Sequence, residues 1–175
     1  MKLALIDHGV GNLRSVEKAL AAAGGQVTLT ADPDTILAAE KVVLPGVGAF
    51  ADAMRGLQSR GLVETVMSIA RRGTPLLGIC VGMQMLLDYS VEHGRHPGLS
   101  LLPGKVVRFA EQQTVSQGLK VPQTGWNQVE PAQETPLLRD LPGGSYAYFN
   151  HRAFRVLNTI PPILFLETPL AACFM

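Results

Sequence analysis

The first half of the chain alternates short apolar runs with amphipathic stretches, and this constrains the fold more than any other feature. Leu3 to Ile6, Val27 to Leu29, Lys41 to Leu44 and Pro75 to Ile79 are brief apolar runs bounded by turn residues. Continuous apolar runs of this length fit strands buried on both faces. Between them lie helical spacings. Asn12 to Ala23 places Leu13, Val16, Ala19, Leu20 and Ala23 on one face and ends at Gly24-Gly25. Pro33 can open a helix that carries Ile36 and Leu37. Ala49 to Leu57, Leu62 to Arg72 and Met83 to Tyr89 complete the set. Strands and helices alternating in this way predict an α/β fold: an open, mostly parallel sheet with helices on both faces.

The pattern changes after Gly94. Lys105 to Phe109, Gly118 to Val121, Trp126 to Val129 and Tyr146 to Phe149 are short alternating segments. They predict antiparallel strands or hairpins added to the main sheet. From about Arg152 the chain has neither a clear period nor polar turn chemistry, and no internal repeat or low-complexity segment is present.

Composition narrows the function classes. A chain of 175 residues predicts one domain with a sizeable core. The net charge is +1 with no basic stripe, which argues against a nucleic-acid partner. The most apolar stretch, Ile160 to Met175, is too short to span a bilayer and is interrupted by Pro161, Pro162, Glu167 and Pro169. No secretory signal opens the chain, because Met1 to Ile6 runs directly into Asp7. Two cysteines, Cys80 and Cys173, make no disulfide framework. A cytoplasmic protein without membrane attachment is the expectation, with no metal and no cofactor.

The strongest chemical signal is Gly78-Ile79-Cys80-Val81-Gly82, set between an apolar strand and an apolar helix. A nucleophile on so sharp a strand-to-helix turn takes a strained backbone conformation, and bulky neighbours would clash. The turn would lift the sulfur to the carboxyl end of the sheet. The helix N-terminus is expected to lower the thiol pKa, and the Val81 N–H is the natural first oxyanion donor. The alternative is a buried core cysteine, a common fate for a free thiol. Gly9-Val10-Gly11-Asn12-Leu13-Arg14 follows a strand and opens a helix, but Arg14 stands where a dinucleotide fingerprint needs its third glycine. A tight structural turn, or part of a partner surface, is the better reading.

Four segments resemble one family. Asp7 to Val16 resembles the opening of the glutaminase subunit of imidazole glycerol phosphate synthase, and Leu44 to Phe50 with Asp52-Ala53-Met54 resembles its oxyanion strand. Leu77 to Gln84 resembles the class I glutamine amidotransferase nucleophile elbow. Lys120-Val121-Pro122 and Gly125-Trp126-Asn127-Gln128-Val129 resemble a segment typical of this subunit. Pro45-Gly46-Val47-Gly48 separates it from other class I amidotransferases, which usually read Pro-Gly-Gly there. The likeness covers roughly residues 1 to 151, in order.

The resemblance implies a flavodoxin-like, class I amidotransferase fold and a set of roles. Cys80 would attack the side-chain amide of glutamine, form a glutamyl thioester and release ammonia, and water would then free glutamate. Gly48, with Val47 beside it, would line the second half of the oxyanion hole. Gln84 and Glu92 match positions that hold the substrate glutamine. Ammonia would pass to a barrel-shaped cyclase subunit, the partner in a heterodimer that builds the imidazole ring in histidine biosynthesis. Asn12, Trp126 and Asn127 match positions at or near that partner surface. By residue type alone, Trp126 fits core packing equally well.

The sequence departs from the family in two places. Gln123-Thr124 stands where members usually carry His-Met. After Phe149-Asn150-His151 the likeness stops, and no Gly-x-Gln-Phe-His-Pro-Glu-Lys-Ser segment follows. That segment supplies the family's general-base histidine and the glutamate that orients it. Residues 152–175 are therefore read as an atypical ending, frameshifted near codon 151 or truncated, with an uncovered sheet edge as the consequence. His8, His93, His96 and His151 are the remaining histidines, and His151 is the best placed of them as a substitute base. The alternative to a working glutaminase is a catalytically dead subunit that binds the synthase partner. A different class I amidotransferase, or a related cysteine-elbow hydrolase, is the third reading, disfavoured by the Gly-Trp-Asn segment.

Overall fold

The computed structural model describes residues 1–108, 122–129, 140, 142–151, 153–156 and 170–173. The first half contains β1 (Lys2–Ile6), α1 (Leu13–Ala22), β2 (Gln26–Thr30), α2 (Pro33–Leu37), β3 (Lys41–Leu44), α3 (Phe50–Ser59), α4 (Val63–Arg71) and β4 (Leu76–Ile79). It continues with α5 (Val81–Met85), β5 (Leu87–Ser90), β6 (His96–Pro97) and β7 (Leu102–Arg108). Later come β8 (Gln123–Val129), β9 (Ser145–His151), β10 (Ala153–Val156) and β11 (Leu170–Cys173).

The main sheet has five strands in the order β11-β4-β3-β1-β2, and every pairing in it is parallel. The chain builds outward from β1 to β2 and then crosses back to β3, so β1 and β3 flank a topological switch point. In open α/β sheets, ligands bind at the carboxyl ends of strands beside such a point.

Both faces of the inner strands β1, β3 and β4 are covered, which is why they are apolar runs rather than alternating ones, whereas the edge strand β2 alternates and stays largely exposed. Ala4, Ile6, Val42, Leu44 and Leu76 pack with Ile36, Phe50, Leu57, Val66, Ile69 and Met85 from α2 to α5. Leu3, Leu5, Val43 and Ile79 point the other way, against Val16 and Leu20 of α1. Phe50, at the first turn of α3, is fully buried. Its truncation to alanine would cost about 3–5 kcal/mol, enough to threaten a marginally stable domain.

The helix expected over Met83 to Tyr89 is two elements. It starts earlier, at Val81, stops at Met85, and gives way to β5. The reason lies in the carbonyls that a longer helix would need. Met85 O accepts the Leu99 N–H, Leu86 O accepts those of Leu101 and Leu102, and Leu87 O accepts that of Ser100. With these acceptors taken by the 98–102 segment, the helix cannot continue.

The strands over Lys105 to Phe109, Trp126 to Val129 and Tyr146 to Phe149 are not added to the main sheet as expected. β10-β7-β5-β6 form a separate four-stranded sheet, in which β5 and β7 are parallel, and β8-β9 form a two-stranded antiparallel ribbon. The expected strand over Gly118 to Val121 lies outside the described residues. The ending also differs from expectation. Residues 153–156 pair with β7, and residues 170–173 lie parallel to β4 with Cys173 opposite Ile79. The outer edge of β4, expected to be bare, is therefore paired. Among the described residues no helix is long and apolar enough to cross a membrane.

Candidate active site

Three loops leave the carboxyl end of the main sheet next to one another: Asp7 to Asn12 after β1, Pro45 to Ala49 after β3, and Cys80 after β4. Cys80 sits between β4 and α5 with φ 53° and ψ −116°. A non-glycine residue holds such a geometry only where its surroundings impose it, and such strain clusters at functional sites.

The surroundings are three glycines. A Cβ on Gly78 would lie 2.6 Å from Met83 Cα, and one on Gly82 would lie 1.9 Å from the Leu44 carbonyl oxygen. A Cβ on Gly46 would lie 2.5 Å from Gly82 N. The start of α5 is thus pressed against the end of β3, backbone to backbone. No side chain fits between, and this contact fixes the Pro45 to Gly48 loop relative to the sulfur. Beyond it the loop opens out. Val47 is 44% exposed, and Gly48 has φ +81° with nothing within 4 Å of a would-be Cβ.

The electrostatics of the thiol differ from the sequence expectation. Burial pushes the Cys80 thiol up, and the Val81 N–H opposes this with a smaller downward effect. Helix α5 has only five residues, so its dipole is a weak counter to desolvation. The fold therefore favours the protonated thiol. No hydrogen bond joins the sulfur to His8, His93 or His96. The His8 ring is committed elsewhere, its Nε2 lying 2.7 Å from the Pro45 carbonyl oxygen, and His96 Nε2 lies 2.9 Å from His93 O. His151 ends β9, opposite Gln123 on β8.

The remaining candidates fall into two groups. Val81 and Gln84 belong to α5 with the elbow: Gln84 N–H donates to Cys80 O at 3.2 Å, and its side chain is buried with Oε1 unpartnered among the described residues. An unpaired buried amide oxygen is costly unless a ligand or water donor meets it. Glu92 is half-buried in the turn after β5, where its N–H donates to Ser90 Oγ at 3.2 Å. Asn12 caps the start of α1 by position, without a side-chain cap bond, and is exposed. Trp126 and Asn127 are exposed on the β8-β9 ribbon, where Trp126 meets Tyr148 edge to face at 5.7 Å between centroids. Trp126 is 68% exposed, so the core-packing alternative for it is wrong. No group of three or more His, Cys, Asp or Glu among the described residues is placed to hold a metal ion.

Sequence reasoning named His8 only among the substitute bases and did not single out Arg60. His8 is fully buried, and Arg60 Nη1 donates to its carbonyl oxygen at 3.0 Å. Their partners lie 37 and 52 positions away in the chain, so no local pattern reveals them.

Comparisons with known proteins agree with this geometry. The family described as glutamine amidotransferase class-I matches residues 4–164. The imidazole glycerol phosphate synthase subunit HisH of Geobacter sulfurreducens is 47% identical over 156 residues, covering 89% of this chain and 75% of that protein. The HisH of Moorella thermoacetica is 51% identical over 154 residues, covering 88% and 70%. Among solved structures, a glutamine amidotransferase superposes with a TM-score of 0.72 at 16% identity, covering 97% of this chain and 87% of that one. PurLQS from Thermotoga maritima gives 0.60 at 18% identity, covering 90% and 70%. At such identities the structural matches establish the fold alone.

Proposed function

The chain belongs to the class-I glutamine amidotransferase family and, within it, to the HisH subunits of imidazole glycerol phosphate synthase, and from that premise we propose how its residues share the work. By family it is the glutaminase subunit of that synthase in histidine biosynthesis. Cys80 is the nucleophile. It adds to the side-chain carbonyl of glutamine, the resulting oxyanion is met by the Val81 N–H and by the Val47-Gly48 turn, and ammonia leaves as the thioester forms. The observation that supports this most is the backbone of Cys80, held at φ 53° between glycines that cannot be enlarged. The unpartnered Oε1 of Gln84, one helical turn on, supports a role in holding glutamine, and Glu92 is assigned the substrate's amino group.

Ammonia produced here is consumed by a cyclase subunit that docks on the surface carrying Asn12, Trp126 and Asn127, giving a heterodimer. An exposed tryptophan backed by an edge-to-face tyrosine is the kind of rigid aromatic anchor that dominates interface energies.

A second reading rests on the thiol's surroundings. With the Cys80 thiol pushed up by burial and the His8 and His96 rings bonded elsewhere, the chain would dock on the synthase without hydrolysing glutamine. One assay separates the two: the purified chain with the synthase subunit, supplied with glutamine or with ammonia. Glutamate release that Cys80→Ala abolishes supports the glutaminase. Ring formation from ammonia but not from glutamine supports the docking-only subunit.

A further inference from the structure

The mechanism leaves His8 unused, although it is the most constrained titratable side chain at the carboxyl end of the sheet. We propose that His8 is a positioning residue that holds the oxyanion turn through the Pro45 carbonyl. This rests on reading Val47 and Gly48 as that turn.

The carbonyl of Pro45 can only accept, so the 2.7 Å contact requires a proton on His8 Nε2. Nδ1 is then the bare nitrogen, and it is buried with no partner among the described residues. The ring is therefore held neutral, in one tautomer, with one hydrogen bond. Its own backbone is also fixed. Arg60 Nη1 donates to the His8 carbonyl at 3.0 Å, and α3 packs so closely that a Cβ on Gly56 would lie 2.4 Å from that oxygen. His8 thus transmits a rigid position from β1 and α3 to the end of β3.

The position it reaches matters. Pro45 O belongs to the peptide that joins Pro45 to Gly46, so fixing that oxygen also fixes the direction of the Gly46 N–H. Gly46 is wedged against Gly82 from the other side. Immediately beyond, Val47 is exposed and Gly48 is unconfined. The His8–Pro45 bond is the last side-chain restraint before the part of the loop that must present an amide to the tetrahedral intermediate. An amide misplaced by about 1 Å there costs on the order of a hundredfold in rate, because oxyanion stabilisation is geometric.

The test compares His8→Leu, which keeps apolar bulk and removes the donor, with His8→Gln, whose Nε2 can reach the place of the imidazole Nε2. Two readouts are taken. The first is kcat and KM for glutamine with the synthase subunit present. The second is the amide resonances of Gly46 and Gly48 in the free protein, which need no turnover. In His8→Leu these resonances are expected to shift and broaden, and kcat to fall about ten- to a hundredfold with KM within about twofold. His8→Gln is expected to restore most of both. Resonances in His8→Leu that overlay those of the parent overturn the proposal whatever the turnover. So does a folded His8→Gln that restores neither readout, and this decides the matter should His8→Leu fail to fold. Cys80→Ala, run alongside, separates the outcomes: if it leaves glutamine hydrolysis unchanged, the reading of the site itself has failed.

Discussion

Gly46 and Gly82 meet backbone to backbone, with 2.5 Å between the position a Gly46 Cβ would occupy and the Gly82 nitrogen. This contact joins the loop after β3 to the first turn of α5, and so joins the proposed oxyanion turn to the nucleophile. Gly46→Ala forces backbone to move on one side or the other, since no flexible side chain is there to yield. A loss of about 1–3 kcal/mol is expected from such overpacking, together with loss of glutamine hydrolysis. Gly24→Ala is the control: Gly24 has a positive φ, +86°, which Gly46 does not, but nothing within 4 Å of a would-be Cβ. Thermal unfolding of the two variants should show the larger fall for Gly46→Ala. An equal fall would mean that the close approach is not what that position requires.

Cys80 carries backbone strain that a glycine would not feel. A residue with a side chain at φ 53° and ψ −116° sits outside the populated regions, at a cost on the order of 1–3 kcal/mol. Cys80→Gly should therefore be more stable than Cys80→Ala by about 1 kcal/mol, some 2–4 °C in Tm for a chain of this size. Both variants should lack glutaminase activity. A Cys80→Gly protein no more stable than Cys80→Ala would show that the turn is relaxed.

Thiol chemistry gives the second handle on Cys80. Burial pushes its pKa above the ordinary thiol value of 9.0. The neutral form is favoured by the fold, so this contribution to stability is present below 9.0 and is lost as pH rises through the elevated value. Alkylation by iodoacetamide, in a Cys173→Ser background, should have its midpoint above that of a free thiol. Adding the synthase subunit with glutamine bound should move the midpoint only if the complex supplies a base or a compensating charge. A midpoint below the ordinary value in the free chain would contradict the burial argument.

Much of the fold can be read from the sequence because its determinants are local. Leu3 to Ile6 and Val42 to Leu44 are buried on alternate faces, so their apolar character survives any register. The elbow is legible for the same reason: Gly78 and Gly82 flank the residue they accommodate. What could not be read depends on distant partners. The apolar residues from Met83 to Tyr89 suit a helix or a strand, and the choice is made by the Leu99, Leu101 and Leu102 amides that take the carbonyls of Met85 and Leu86. β7 alternates as expected, but nothing in its alternation says that it pairs with β5 rather than with the main sheet. His8 is the clearest case in the site. A histidine after a strand looks like any loop histidine until Pro45 is brought to it. Trp126 shows the converse, where residue type permitted core or surface and only the structure decided.

Stability should also report on His8 at acid pH. Burial lowers its pKa below the usual 6.5, opposed by the bond to Pro45 and by the nearby Asp7 carboxylate, and assisted by the Arg60 guanidinium. The folded chain holds the ring neutral while the unfolded chain protonates it. The unfolded state therefore binds more protons as pH falls below 6.5, and stability is lost in that direction. It is fully present above that value, and the loss levels off once the folded-state pKa is passed. His8→Gln, which cannot titrate, should flatten this part of the stability–pH curve while keeping a donor for Pro45 O. Urea unfolding of both proteins from pH 7 to pH 5 measures the slope. Parallel curves would mean that His8 titrates alike in both states, which its buried, unpartnered Nδ1 argues against.

The exposed aromatic pair gives the sharpest separation between binding and folding. Trp126 is 68% exposed and its aromatic partner among the described residues is Tyr148. Trp126→Ala forfeits an edge-to-face contact worth about 0.5–1.5 kcal/mol at most on a two-stranded ribbon, so global unfolding should change little. If the ribbon is the docking surface, the same substitution removes an anchor from the interface. A cost of about 2 kcal/mol is typical of such a hot spot, or some thirtyfold in Kd for the synthase subunit. Titration calorimetry with the purified cyclase measures it directly. A Trp126→Ala chain that binds the synthase as tightly as the parent would remove the ribbon from the interface and leave Asn12 and the loops at the carboxyl end of the sheet to carry it.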